Sequence, residues 1–217
     1  MTSTAEISEA LGRLDELTRR LRVECPWDRE QDERSIVPHT VEEAYELADA
    51  ANSGDDAKLL DELGDVLFQV HFLSLLLEER GAGDLAAVAE HCRRKLIRRH
   101  PHVFGDVEVH SAGEVLRNWD EIKAAEPGRE PGTFGEVPEN LPALLYARKV
   151  QRRAAAAGLL DRAPGPPADS AARESAFHDV GERLFAAVDE ARRLRVDPEL
   201  ALRAASHRFR DRCQGEP

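Results

Sequence analysis

The 217-residue chain carries 30 Lys+Arg against 42 Asp+Glu, a formal net charge of −12, and is 33% charged, 41% hydrophobic and 5% aromatic. That acidic balance argues against a nucleic-acid or anionic-membrane binder, because both need a basic field, and an apolar fraction built on Ala and Leu argues against an all-β or disordered chain. Cys25, Cys92 and Cys213 are far apart without metal-ligand spacing, the N-terminus has no signal-peptide pattern, and the most apolar stretch, around Phe72 to Leu77, is too short to span a bilayer, so a soluble cytoplasmic protein without disulfides is expected.

Ile7, Leu11, Leu14, Leu17 and Leu21 recur at three- and four-residue steps, predicting an amphipathic helix that ends before a Cys25-Pro26-Trp27-Asp28 turn. Thr40, just after Pro38, is a good N-cap for a second helix with the stripe Val41, Ala44, Tyr45 and Ala48, broken at Ser53-Gly54-Asp55. A third helix is predicted from about Asp56 to Arg80, stopping at Gly81 and Gly83. Asp84 caps a fourth, ending at His100-Pro101 because the residue before proline disfavours the α region. Ser111 with Glu114 makes a capping-box pattern for a fifth helix through Trp119 and Lys123.

Between Pro127 and Pro142 the Pro and Gly content reads as a linker. The domain organisation is therefore 1–126, a linker over 127–141, and a smaller unit over 142–217. That unit holds helices at about Leu141 to Gly158, Ser170 to Leu194 and Pro198 to Arg212, with an Ala163-Pro164-Gly165-Pro166-Pro167 loop. No segment alternates with period two for long enough to be a strand, and the fold class is all-α. Gly64-Asp65-Val66-Leu67-Phe68 is echoed by Gly181-Glu182-Arg183-Leu184-Phe185, as a duplicated unit would be.

The third helix has almost no polar face and is expected to be buried, yet Glu62, Asp65 and Gln69 share an arc of roughly 60° on it. Carboxylates in such a place need ion pairs, hydrogen bonds or a metal. The second helix offers Glu42, Glu43 and Glu46, with Glu43 and Glu46 one turn apart, as are Glu62 and Asp65. If the two helices pack antiparallel through Ser53-Gly54, four carboxylates face one another and repel unless a cation sits between them; Mg²⁺ or Mn²⁺ suits such oxygen ligands best. The structural alternatives are a Thr40–Glu43 capping box, which would turn Glu43 back on the backbone, and a salt bridge from the third-helix acids to Lys58 or an arginine. Lys95 and Arg99 flank the apolar stripe of the fourth helix, while Trp119 and Lys123, one turn apart, offer a ring for a base and an ammonium for a phosphate.

Cys25-Pro26-Trp27-Asp28, Glu42-Glu43-Ala44-Tyr45-Glu46, Glu62-Leu63-Gly64-Asp65, the run from Lys95 to Phe104, and Trp119-Asp120-Glu121-Ile122-Lys123 together resemble the MazG nucleoside triphosphate pyrophosphohydrolase family over about residues 5 to 126. The resemblance implies an all-α bundle, usually dimeric, that cleaves a nucleoside triphosphate to monophosphate and pyrophosphate with Mg²⁺, in which Mn²⁺ is a possible substitute. Position by position it implies Glu43, Glu46, Glu62 and Asp65 as metal ligands, with Glu42 as support or base. Lys58, Lys95, Arg99 and Lys123 would hold the triphosphate, and Trp119 would lie against the nucleoside. Nucleic acid and membrane are not expected partners; a homodimer and a house-cleaning role are what the resemblance suggests. The second unit departs from the family's tandem copy: no EExxE segment occurs between Leu159 and Ala176, Asp179 and Glu182 stand in for the Glu and Asp of the ligand pair, and no Trp-x-x-x-Lys follows, so a shortened, degenerate and non-catalytic repeat is expected. The rival readings are an all-α pyrophosphohydrolase of one narrow substrate and a non-catalytic helical regulatory module.

Overall fold

A computed structural model describes residues 2–128, 132–135, 137–161, 165 and 169–215. Its helices are α1 (Thr4–Glu24), α2 (Pro26–Glu30), α3 (Glu33–Ser53), α4 (Asp56–Glu79), α5 (Leu85–Arg99), α6 (Pro101–Phe104), α7 (Ala112–Ala124), α8 (Ala143–Ala156), α9 (Ser170–Leu194) and α10 (Pro198–Gln214). No strand occurs among the described residues, and none of their helices is long and apolar enough to cross a membrane. All three cysteines are free. The chain divides into two compact units, Met1–Arg98 and Arg99–Pro217.

The first unit is organised by the α3–α4 hairpin. Asp32 caps α3 by accepting from the amides of Arg34 and Ser35, and Ser35 returns the bond to the Asp32 amide in a capping box. The N-cap expected at Thr40 is thus displaced two turns upstream. Pro38 lies inside α3, and the hydroxyl of Thr40 points across the hairpin to donate to Gln69 Oε1 at 3.1 Å. The proline costs both the amide bond to the carbonyl four residues back and a clash of its ring with that carbonyl, and the upstream cap and the packing of Ile36 offset them. Gly54, at φ 71°, ends α3 in the left-handed region, and Asp55 immediately caps α4 through the amides of Ala57 and Lys58. With a turn this short the helices return antiparallel, and positions about equally far from Gly54 meet: Thr40 with Gln69, and Ile36 in one cluster with Phe72 and Leu76.

Burial along α4 is uneven. Gln69, His71, Phe72, Ser74, Leu75 and Leu76 are buried, whereas Leu60 is 74% and Leu63 49% exposed, which corrects the expectation of a helix buried throughout. The physical reason is that α3 covers one side of α4 along the hairpin while α1 reaches it only toward its C-terminal half, at His71, Glu78 and Glu79, so that a helix apolar on nearly every side keeps open faces near its start. Two forked arginines seat α1 on α4: Arg19 on Glu78 (3.1 and 2.6 Å) and Arg22 on Glu79 (2.8 and 2.9 Å), and Arg22 also donates to the carbonyls of Asp28 and Gln31, so that the expected turn at 25–28 continues into the short helix α2.

In the second unit, Ser111 caps α7 by accepting from the Glu114 amide, but Glu114 reaches back to the amide of His110 rather than closing the capping box on Ser111. The core gathers Phe134, Val137, Tyr146, Val150 and Ala154. Phe134 and Val137 thus anchor part of the Pro/Gly-rich stretch of 127–141; its residues 129–131 and 136 lie outside the described residues, as do Ala163, Pro164, Pro166 and Pro167 of the expected loop. Glu199 of α10 accepts from the Ala143 amide and so caps α8, which has only Pro142 before it.

Nothing lies within 4 Å of a Cβ built at Gly54, so Gly54→Ala meets only the backbone penalty of a left-handed residue. We expect it to cost about 1–2 kcal/mol in urea unfolding, with the register of the hairpin kept.

Candidate active site

The register that pairs Thr40 with Gln69 also brings the acids of the two helices together. One oxygen from each of Glu43, Glu62 and Asp65 lies within 4.8 Å of the others. Glu46, one turn beyond Glu43 on α3, lines with Glu62 an open cleft of about 410 Å³ that also includes Tyr45, Asp49, Ala50 and Lys58. Glu42 is exposed, with its carboxylate 3.7 Å from His39 Nδ1, and is near enough to add its charge to that felt by Glu43.

The electrostatics are those of crowded like charge. Burial, then the neighbouring Asp65, Glu46, Glu62 and Glu42, push the Glu43 carboxyl above the ordinary carboxylate range. Burial, then Glu46, Asp65 and Asp61, do the same to Glu62, with Lys58 opposing. Glu62 Oε2 is buried and has no hydrogen-bond partner. No ion pair ties Glu43, Glu46, Glu62 or Asp65 to a base among the described residues, and Thr40, being inside α3, does not draw Glu43 back to the backbone. A buried carboxylate oxygen left without a donor is costly unless a cation completes it. Three converging carboxylates with an orphaned oxygen are a donor set that fits a hard divalent ion, which takes oxygen ligands and keeps waters and phosphates as its remaining partners.

The expected basic and aromatic residues fall in both units. Lys58 lines the cleft, exposed beside Glu62, and Lys95 is half-buried on α5 of the same unit. Arg99, Trp119 and Lys123 belong to the second unit. There Arg99 is 5% exposed: its Nε and Nη2 donate to the two oxygens of Glu126 at 2.9 and 2.5 Å, and its guanidinium carbon lies 5.3 Å from the centre of the Trp119 ring. The His100 ring meets Trp119 edge-on at 5.0 Å. Tyr45, Asp49 and Glu126 are the residues that reading the sequence passed over. For Asp49 the signal was present as spacing, since it follows Tyr45 by one turn; Glu126, beyond the end of α7, carried none.

Comparison with known proteins bears on this arrangement. The family model of the MazG nucleotide pyrophosphohydrolase domain matches residues 31–104, the span that holds the α3–α4 hairpin and α5. A solved structure of a mazG-related protein from Thermotoga maritima matches 52% of this chain and 97% of that chain at 26% identity and a TM-score of 0.45. The nucleoside triphosphate pyrophosphohydrolase of Escherichia coli K12 is 37% identical over 206 residues, covering 87% of this chain and 78% of that protein. The nucleoside triphosphate pyrophosphohydrolase/pyrophosphatase MazG of Thermotoga maritima is 38% identical over 200 residues, covering 87% and 77%. At that identity over most of the length of both relatives, the chain belongs to the MazG family of nucleoside triphosphate pyrophosphohydrolases.

Proposed function

We propose that this pyrophosphohydrolase cleaves ribo- or deoxynucleoside triphosphates between the α- and β-phosphates, releasing monophosphate and pyrophosphate, with Mg²⁺ held by Glu43, Glu62 and Asp65 and supported by Glu46. The observation that carries the reading is the convergence of Glu43, Glu62 and Asp65 around an oxygen of Glu62 that has no donor. When bound, the ion supplies charge neutralisation of the phosphates and acidification of a water. The chain's own residues do the rest. Glu46 and Glu62 line the cleft that receives the phosphates, and Lys58 places an ammonium in it. A carboxylate of the cluster, or Glu42 beside it, accepts the proton of the water that attacks the α-phosphorus. Lysines then stabilise the negative charge of the departing pyrophosphate. In this reading Lys95, Arg99 and Lys123 belong to triphosphate binding and Trp119 lies against the nucleoside. A ring that stacks on any base suits the removal of non-standard nucleotides from the pool, the house-cleaning role.

The reading places catalysis in 1–126 and assigns the helices of 142–217 to a degenerate, non-catalytic repeat. In support, Asp179 and Glu182 are both exposed on α9, a helix with no buried residue, and the converging acids found among the described residues are those of α3 and α4. A homodimer belongs to the same reading. Leu60, Leu63, Leu67 and Val70 leave an exposed apolar stripe on α4, and beyond the helix's own backbone no described residue lies within 4 Å of a Cβ at Gly64, which leaves room for a second backbone.

Product analysis across a panel of ribo- and deoxynucleoside triphosphates is expected to give monophosphate and pyrophosphate, lost with chelator and restored by Mg²⁺ or Mn²⁺; nucleoside diphosphate and phosphate would overturn the assignment. Glu62→Ala and Asp65→Ala should each lower turnover by more than about a hundredfold, since even residues one layer behind a metal's ligands are worth 10–100-fold. The paired change Asp179→Ala with Glu182→Ala should leave turnover intact.

Because Glu62 takes up its proton more readily in the folded, metal-free protein than in the unfolded chain, its ionisation costs stability as the pH rises from 4.5 through its raised range, and nothing below it. In chelator, Glu62→Gln should therefore melt above the parent at neutral pH, with the difference vanishing in acid, although it destroys activity. A helical module built on structural salt bridges would show the opposite change. Sedimentation equilibrium is expected to show a dimer that Leu63→Glu converts to monomer.

A further inference from the structure

We propose that Glu126 is a positioning residue for nucleoside recognition: through its fork with Arg99 it sets the Trp119 ring against which the base is to lie. The inference rests on the reading that Trp119 contacts the nucleoside, and it adds a residue and a mechanism to that reading.

Arg99 is the last residue of α5, where Pro101 prevents the helix from continuing, so its side chain leaves a helix end that the sequence itself defines. Glu126 lies just past the end of α7, two residues after Ala124. Both side chains are more than nine-tenths buried, at 6% and 9% exposure. Two N–H groups of one planar guanidinium donate to two oxygens of one carboxylate, which fixes both the position and the plane of the guanidinium. That plane lies over the Trp119 ring at 5.3 Å, and the His100 edge meets the same ring at 5.0 Å. The indole of Trp119 is thus held by a cation on its face and an imidazole beside it. A buried arginine without its carboxylate would turn toward water and take its support of the ring with it.

The fork also decides what Arg99 does. Nε and Nη2 are both committed to Glu126, which narrows the triphosphate-binding role given to Arg99 above: its contribution to substrate is chiefly through the ring it supports.

The test uses the full chain with Trp27→Phe, which leaves Trp119 as its one tryptophan. Glu126→Gln is expected to raise KM for a nucleoside triphosphate about tenfold, the size of a weakened base stack, with kcat little changed. It should leave KM for a base-free alkyl triphosphate where it was and lower the fluorescence anisotropy of Trp119. Glu126→Asp should recover part of the loss. Should Glu126→Gln fold poorly by circular dichroism, the pair Arg99→Met with Glu126→Leu replaces the buried ions by apolar groups and is expected to restore the fold while keeping the raised KM. If Trp119→Ala raises KM for nucleoside triphosphates and Glu126→Gln does not, the positioning role is overturned while the nucleoside reading stands. If Trp119→Ala itself leaves KM unchanged, it is the nucleoside reading that fails. Equal losses on the base-free and nucleoside triphosphates would assign Glu126 to folding alone.

Discussion

Electrostatic repulsion among carboxylates on two facing helices is the constraint around which the first unit is arranged. Glu43, Glu62 and Asp65 approach within 4.8 Å although like charges at that separation resist it, and an oxygen of Glu62 is left buried without a donor. What holds the acids in place is the other end of the hairpin, where Ile36, Phe72 and Leu76 pack together and Thr40 bonds Gln69. Burial of such side chains is worth roughly 1.5–3 kcal/mol each, enough to hold a strained neighbour a few turns away. The apolar end supplies the stability and the acidic end uses it.

The geometry of the turn makes this possible. A left-handed Gly54 followed at once by the Asp55 cap leaves no slack between α3 and α4, so the register is set at the turn and carried along both helices. A residue added there would rotate one helix by about 100° and carry its acids off the shared face. Arg22 then seats α1 and α2 against the far end of α4 through one guanidinium that serves Glu79 and two carbonyls. In a chain this rich in charge, such forked arginines do much of the work that larger side chains do elsewhere; Arg203 likewise ties α10 to the backbone of Glu139 and Leu141 ahead of α8.

The second unit shows how a buried cation is used once it is paired. The charge of Arg99 is neutralised by Glu126 and turned toward an aromatic ring, so its energy goes into orienting Trp119. Lys58 and Lys95 have no such carboxylate fork among the described residues and are the kind of mobile point charge that suits phosphate.

Much of this was legible in the residues alone. Helical periodicity and the absence of alternation gave an all-α chain, and α4, α5, α9 and α10 begin and end within about two residues of their capping and breaking signals. The acids at Glu43, Glu46, Glu62 and Asp65 were readable because carboxylates on apolar helices are energetically out of place, and the motifs around them carried the family. Other features depended on partners distant in sequence. Asp32 rather than Thr40 starts α3 because an upstream cap and the packing of Ile36 outweigh a proline, a comparison that local pattern does not make. The exposure of Leu60 and Leu63 depends on which helices lie beside α4, not on its own periodicity. Glu126 is one acid among many until folding brings it 27 residues back to Arg99. Sequence by itself determined that the chain is helical, where most of its long helices run and which charges are anomalous; only tertiary structure decided which of those charges meet, because a pairing energy exists only where the fold brings two groups within a few ångströms of each other and away from water.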